Sequence, residues 1–184
     1  MEEGKADKIV QIARLTFERD GVRSTTISTI MREAGITREL FYYYFKNKAQ
    51  LIDAVLDAYA QDVAASVRRW SDCLDAGEEK FADLVGHLRA FLDEGNESCR
   101  NTRAVICETE SYYAMAERVV SRSVEALRST QFFRLCERCS PVPAEQGIAY
   151  VINAMLGMLR SGAGTSDKVI TLLSREALCL PASL

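Results

Sequence analysis

Apolar residues recur at intervals of three and four along most of the chain, and this spacing places them on one side of an α-helix. The first segment of this kind runs from Lys5 to Asp20, and Gly21 is placed to end it as the C-terminal glycine. A second short helix is predicted after Thr25 and Thr26, which are candidate N-cap residues, and it ends at Gly35. The pattern therefore predicts two helices before residue 36.

A third helix is predicted at about 37–45, with Thr37 as a good N-cap residue and Phe45 at its end. Apolar residues occupy one side of it, whereas its other side carries hydroxyl groups and a cation. Two short helices joined through the sequence Ala-Gly-Ile-Thr form a helix-turn-helix, in which the second helix lies in the major groove of DNA. Hydroxyl groups and cations suit phosphate oxygens and base edges, so this side is predicted to face DNA.

The remainder of the chain predicts further helices, beginning with a long one from about Lys48 to Cys73. Later segments with helical spacing lie between Gly77 and Gly95, at 102–107, at 111–135, at 144–160 and at 165–180, with a loop at 136–143. We therefore predict an all-α protein of about nine helices. Its expected parts are a helix-turn-helix domain at 1–50, the head, and a helical domain at 51–184, the body.

The distribution of charge changes this picture more than the total charge does. The chain has 184 residues and a net charge of −3, which taken alone argues against a nucleic-acid partner. Residues 1–50 carry a net charge of +2 and the remainder −5, and the segment from Val22 to Lys48 alone carries +3. The positive excess is modest, but it coincides with the predicted helix-turn-helix.

The residues of this segment also follow the pattern of a known family. The sequence supplies in register Thr25, Thr26, Ile27, Ile30, Ala34, Gly35, Ile36, Thr37, Phe41, Tyr42, Tyr44, Phe45, Lys48 and Leu51. They resemble the DNA-binding head of the TetR family of bacterial transcriptional regulators, and with the first helix the resemblance covers about residues 5–60. The sequence departs from the family pattern at Met31, Glu39 and Leu40, where smaller residues are usual.

The resemblance and the chemistry of the side chains together give a set of expected DNA contacts. These residues are Thr26, Ser28, Thr37, Arg38, Leu40, Tyr42, Tyr43 and Lys48. By resemblance, the tyrosines contact backbone and base edges, and the hydroxyls of the second helix and the lysine contact phosphate. Arg38 is expected to bind guanine, because an arginine fork suits its acceptors, and Leu40 to touch a thymine methyl group. Glu39 repels phosphate but can accept from cytosine N4.

The resemblance also gives the body a role. In the resembled family the body binds a small molecule, and the last two helices commonly join two protomers. The expected lining of a ligand cavity is Trp70, Phe91, Tyr112 and Tyr113. The expected dimer contacts are Val151, Met155, Leu159, Val169, Leu172 and Leu173. The resemblance thus implies a homodimer that binds double-stranded operator DNA, represses transcription, and is released by a small-molecule effector.

Cys136 and Cys139 raise the possibility of a metal site or an oxidation switch. Cys136 and Cys139 have the spacing of a metal site, but a zinc site wants four ligands and the only histidine, His87, is distant in sequence. We expect no metal there and interpret these residues as reduced thiols. An oxidation switch at these cysteines, control by a partner protein, and a head that no longer binds DNA remain as alternatives.

Neither catalysis nor a membrane is expected. The sequence has no glycine-rich phosphate loop, no HExxH motif and no nucleophile with a paired histidine, so we expect no enzyme and no cofactor. No apolar run approaches the roughly 18 residues that a membrane span requires. The N-terminal sequence also lacks the apolar core of a signal peptide, so a cytoplasmic protein is expected.

Overall fold

The computed structural model describes residues 3–76, 109–161 and 175–179. Seven helices lie in these ranges: α1 (Glu3–Asp20), α2 (Ile27–Ala34), α3 (Arg38–Tyr44), α4 (Lys48–Asp75), α5 (Thr109–Leu127), α6 (Gln131–Cys139) and α7 (Ala144–Ser161). Residues 175–178 add a short helical segment. No β-strand occurs in the described ranges, and the helix count is close to the nine predicted, so the all-α prediction is confirmed.

The helices predicted between Gly77 and Gly95 and at 102–107 lie outside the described residues, as does most of 165–180. Among the helices that are described, none combines the length and the apolar character needed to cross a membrane.

Residues with particular backbone chemistry set the ends of the first helices, as the sequence predicts. Gly21 follows α1 with a φ of 82°, and Gly35 ends α2 in the left-handed region with a φ of 64°. An L-residue with a Cβ rarely adopts this conformation, so glycine is the residue that fits both positions. The side chains of Thr26, Thr37 and Asn47 accept from backbone N–H groups at the starts of α2, α3 and α4.

α4 is one uninterrupted helix that connects the head to the body. Its 28 residues correspond to a length of about 42 Å. α5 runs beside it in the same direction, since Asp53 pairs with Arg118 and Asp57 with Arg122 one turn further along both helices. At the far end, the carboxylate of Asp75 accepts from the first backbone N–H of α6 at 2.9 Å.

One of two hydrophobic clusters joins the head to the body. It contains Ile9, Phe17, Ile30, Phe41, Leu51 and Val55 together with Met115, Val119 and Leu156 from α5 and α7. A second cluster, farther along α4, contains Trp70, Leu127, Phe132, Phe133, Cys136, Ile148, Val151 and Met155. Packing is therefore continuous across residue 50, and the division into 1–50 and 51–184 stays a prediction.

The single helix predicted at 111–135 is two helices in the structure. α5 ends at Leu127, and the buried Thr130 starts α6. Its hydroxyl donates to the Leu127 carbonyl at 2.8 Å and accepts from an N–H of the first turn of α6 at 3.2 Å. α6 then continues to Cys139, into the loop predicted at 136–143. Apolar spacing did not reveal the break, because a threonine can also stand inside a helix.

Candidate nucleic-acid interface

α3 has one buried side and one exposed side. Phe41 is fully buried, whereas the exposed residues are Arg38, Glu39, Tyr42 and Tyr43. At about 100° per residue, these four occupy a continuous arc of about 140°, in the order Arg38, Tyr42, Glu39, Tyr43. We call these four residues the α3 arc. It carries one cation, two phenols and one carboxylate.

The burial of Phe41 and Phe45 in the core fixes the orientation of α3, and neighbouring aromatic rings pack along the helix. The ring of Phe41 meets that of Tyr42 edge-on at a centroid distance of 5.4 Å and lies 5.9 Å from that of Phe45. Tyr43 and Tyr44 also meet edge-on, at 4.9 Å. Rotating α3 about its axis would bring Phe41 and Phe45 out of the core, so the α3 arc is held toward the outside.

The start of α3 brings the remaining predicted contacts of this helix together. The guanidinium carbon of Arg38 lies 5.5 Å from the ring centroid of Tyr42, within the range of a cation–π contact. Thr37 caps the helix, and its hydroxyl oxygen accepts from the Leu40 N–H at 3.3 Å. Thr37 is exposed and Leu40 half-buried. Five of the eight predicted contacts therefore lie on α3 and its N-cap residue: Thr37, Arg38, Leu40, Tyr42 and Tyr43.

The start of α2 presents a second set of polar groups. The Thr26 hydroxyl oxygen accepts from the Thr29 N–H at 3.1 Å, and the two hydroxyl oxygens lie 2.9 Å apart. Ser28 is exposed, and so is Arg23, which precedes the helix. The N-terminus of a helix carries a partial positive charge, so these hydroxyls and the arginine suit phosphate oxygens.

Lys48 has a partner inside the protein. Its ammonium group donates to the backbone carbonyl of Val22, and the side chain is half-buried. This bond ties the start of α4 to the segment between α1 and α2. An ammonium group has three N–H donors, so the predicted phosphate contact of Lys48 depends on the other two. Lys46, two residues earlier, is exposed.

A polar network between α1 and α2 holds the helix-turn-helix in place. The hydroxyl oxygen of the buried Thr16 lies 2.8 Å from a Glu33 carboxylate oxygen and 2.7 Å from the Ile12 carbonyl, and its one hydrogen can serve one of them at a time. Arg19 donates to Glu33 and to Asp20, each at 2.7 Å. Arg19 first, and then Thr16, holds the pKa of Glu33 below its ordinary value. Sequence reasoning missed this network because no local spacing links residues on separate helices.

The sequence of this region matches that of known regulators. Residues 9–55, which run from within α1 to the start of α4, match the family of bacterial regulatory proteins described as tetR. Residues 9–55 therefore belong to the TetR family of bacterial regulatory proteins. The HTH-type transcriptional regulator TtgR of Pseudomonas putida is 41% identical over 51 residues, which make up 28% of this chain and 24% of TtgR. The match thus spans about a quarter of that relative's length.

The matches that cover more of the chain have lower sequence identity. The HTH-type transcriptional repressor SCO4008 of Streptomyces coelicolor is 28% identical over 140 residues, which cover 74% of this chain and 69% of SCO4008. The solved structure of the multidrug binding protein EbrR in complex with imidazole is similar with a TM-score of 0.68 and 15% identity, over 97% of each chain. At this identity the likeness shows a shared fold and shows nothing of a ligand for this chain.

The predicted ligand-cavity residues of the body are not brought together where the structure describes them. Trp70 is buried and meets Phe132 edge-on at 4.9 Å, in the second core cluster. Tyr113 is exposed and lies near the head end of α5, far along the helices from Trp70. The side chains of Phe91 and Tyr112 lie outside the described residues. Trp70 therefore has a packing role, and the ligand cavity stays a prediction.

The predicted dimer contacts on α7 turn inward. Val151 and Met155 belong to the second core cluster of their own protomer, so this side of α7 is already covered. The exposed residues on α7 are instead Glu145, Gln146, Tyr150, Asn153, Ala154 and Gly157. The side chains of Leu159, Val169, Leu172 and Leu173 lie outside the described residues. Apolar spacing identified the amphipathic helix but not what covers its apolar side.

The described cysteines do not resemble a redox or metal centre. Cys136 is fully buried, and burial raises the pKa of its thiol to about 12, so the reactive thiolate is scarce at neutral pH. Cys139 is half-buried and both thiols are free. Among the described residues, no group of three or more histidine, cysteine, aspartate or glutamate side chains is placed to hold a metal ion.

Proposed function

We propose that this TetR-family protein is a transcriptional repressor that binds a pseudo-palindromic operator as a homodimer. Each protomer places α3 in the major groove of one half-site, with the base edges facing the α3 arc. The observation that carries this proposal is the fixed orientation of α3, whose apolar side is anchored in the core by Phe41. The opposite side then presents the donors and phenols that suit bases and phosphates.

The individual roles follow from the chemistry of each group. Arg38 binds guanine through its two-pronged guanidinium group, which the ring of Tyr42 helps to orient. Tyr42 and Tyr43 contact sugar-phosphate backbone and neighbouring base edges. The hydroxyls of Thr26 and Ser28 bind phosphate at the start of α2, with Thr37, Leu40 and Lys48 completing the contact set. Binding to a chromosomal operator requires the protein to be in the cytoplasm.

The homodimer forms through the exposed side of α7. Tyr150 has 65% of its surface exposed, and Ala154 and Gly157 follow it at helical spacing on the same side. Small residues allow two helices to approach closely, and a large exposed aromatic residue gains the most from being covered. This assignment replaces Val151 and Met155, which the protomer's own core has already buried.

A small-molecule effector bound in the body lowers operator affinity by moving α4. Coupling of this kind requires that the effector bind the two conformations with different affinities. Support comes from α4 itself, which shares the core of the head and is paired to α5 through Asp53 and Asp57. A displacement of α5 would therefore move the start of α4, which packs against the helices of the head.

The deciding experiment is selection of the full-length protein against a random duplex library, followed by affinity measurements across a salt series. We expect an inverted repeat whose affinity falls as salt rises, because bound cations release counterions from DNA. Arg38→Ala should relax the preference at one symmetric position, whereas Arg134→Ala, which removes an exposed arginine from α6, should leave both affinity and preference unchanged. A library from which nothing is enriched, even at low salt, would contradict operator binding.

The effector is tested separately. Compounds that raise the melting temperature of the protein are titrated against the protein bound to its selected operator. Release of DNA at saturating compound supports the coupling. A compound that stabilises the protein and leaves operator affinity unchanged is not an effector.

A further inference from the structure

Glu39 lies in the middle of the surface that α3 turns outward. In the α3 arc it stands between Tyr42 and Tyr43, and its side chain is exposed. Every phosphate that approaches this surface is repelled by a carboxylate there. A carboxylate on this surface lowers affinity for DNA in general unless a donor on the DNA compensates for the repulsion.

Local hydrogen bonds keep the Glu39 carboxylate charged and close to the first turn of α3. Its own backbone N–H and the Thr37 hydroxyl both donate to it, and these bonds lower its pKa below the ordinary value. Arg38 adds a smaller electrostatic effect in the same direction. A carboxylate has about four acceptor sites, so the two local donors leave part of its acceptor capacity unused, and the side chain is exposed.

The major groove offers few partners for such a group. Guanine O6 and N7 and thymine O4 are acceptors and repel a carboxylate, whereas the exocyclic amino group of cytosine donates to it. Adenine also has an amino donor, at N6, but its N7 acceptor lies beside that donor and repels a carboxylate. We propose that Glu39 is a specificity-determining residue that accepts from the N4 amino group of one cytosine in each operator half-site. The inference rests on the proposed operator binding and extends it to a residue that acts by excluding other bases.

In this mechanism Glu39 increases the preference for cytosine without increasing affinity for DNA in general. At a half-site with cytosine in the matching position, the hydrogen bond offsets the repulsion of nearby phosphates. Guanine and thymine give no compensation at this position, and adenine gives less because N7 lies beside its N6 donor. The wild-type protein therefore binds a mismatched duplex more weakly, by roughly 5- to 150-fold for one mismatch. Removing the carboxylate should therefore strengthen binding to mismatched duplexes and not weaken it.

The test uses the full-length protein and the operator selected by the wild-type chain, with duplexes carrying each of the four bases at every symmetric position. We expect wild type to prefer cytosine at one position on each half-site. Glu39→Ala should lose that preference alone and bind the mismatched duplexes more tightly than wild type does. Glu39→Gln should move the preference toward adenine, because glutamine pairs with adenine N6 and N7. Glu137→Ala, an exposed glutamate on α6, is the matched control and should change neither quantity.

Three outcomes would overturn the assignment. If Glu39→Ala lowers affinity for all duplexes by the same factor and lowers the melting temperature, Glu39 only supports the start of α3. If both Glu39 variants keep the wild-type base preference at every position, the residue does not contact a base. If wild type itself enriches no inverted repeat, the proposed operator binding fails and this inference fails with it.

Discussion

Arg122 on α5 donates to both carboxylate oxygens of Asp57 on α4, at 2.7 and 2.8 Å. One turn closer to the head, Arg118 donates to Asp53 at 2.8 Å. The two pairs lie on the helix that begins in the head and on the helix that packs along it in the body. A guanidinium group that bonds to both oxygens of a carboxylate constrains the angle between the two groups as well as their distance. The Arg122–Asp57 pair therefore helps to set the register of α4 on α5.

The register of α4 on α5 gives the first prediction. In a double-mutant cycle with Asp57→Asn and Arg122→Gln, we expect a coupling free energy of about 0.5–1 kcal/mol, because the pair is partly exposed to solvent. Urea unfolding of the four proteins measures it. The coupling should shrink as salt is raised. Strictly additive effects of the two substitutions would mean that the pair contributes nothing to the α4–α5 contact.

The two sides of α3 should separate stability from DNA binding. Phe41→Ala removes a fully buried ring and should lower the free energy of unfolding by about 3–5 kcal/mol. Tyr43→Ala, at a site with 67% of its surface exposed, should change it by less than about 0.5 kcal/mol. Operator titration should nevertheless show a loss of about tenfold or more for Tyr43→Ala. Equal operator affinity of wild type and Tyr43→Ala would remove Tyr43 from the contact set.

The Glu33 network predicts a dependence of stability on pH. Bonds from Arg19 and Thr16 hold the folded-state pKa of Glu33 below its ordinary value of 4.5. The contribution of Glu33 to the free energy of unfolding is thus fully present above pH 4.5 and is lost as pH falls toward the pKa of Glu33 in the folded protein. Glu33→Gln should reduce the slope of unfolding free energy against pH below about 5.

Urea unfolding between pH 3 and pH 7 measures that slope. Glu137→Gln removes the same charge from an exposed position on α6 and serves as the control. If Glu33→Gln leaves the slope unchanged, the contact between α1 and α2 does not depend on the ionised carboxylate.

Two glycines on α7 distinguish packing within a protomer from packing between protomers. A Cβ added at Gly147 would lie 3.2 Å from a Leu178 side-chain carbon, whereas one at Gly157 meets nothing within 4 Å among the described residues. Gly157→Leu should therefore leave the protomer folded but weaken the dimer, because the added side chain stands on the exposed side of α7.

Sedimentation equilibrium gives the dimer dissociation constant for both variants. Gly147→Ala should lower the melting temperature with little direct effect on dimer contacts, since its neighbour is internal. An unchanged dissociation constant for Gly157→Leu would move the dimer contact away from this side of α7.

Local patterns in the sequence determined the head almost completely. Gly21 and Gly35 end helices there because the backbone at those positions takes a positive φ, and Thr26 and Thr37 cap helices because their oxygens accept orphan N–H groups. The α3 arc was predictable in the same way, since helical periodicity alone places Arg38 and the tyrosines opposite the apolar side.

Only the tertiary structure decided which helices meet and through which sides. Arg122 and Asp57 are 65 residues apart, and periodicity at intervals of three and four carries no information about such pairs. For the same reason the inward direction of Val151 and Met155 could not be predicted, since an apolar side can be covered by its own chain or by a partner. The sequence by itself thus determined the helices of the head and the exposed side of α3, because their causes act within one or two turns. The network around Glu33, the pairing of α4 with α5 and the free side of α7 depend on contacts that form only when the chain is folded.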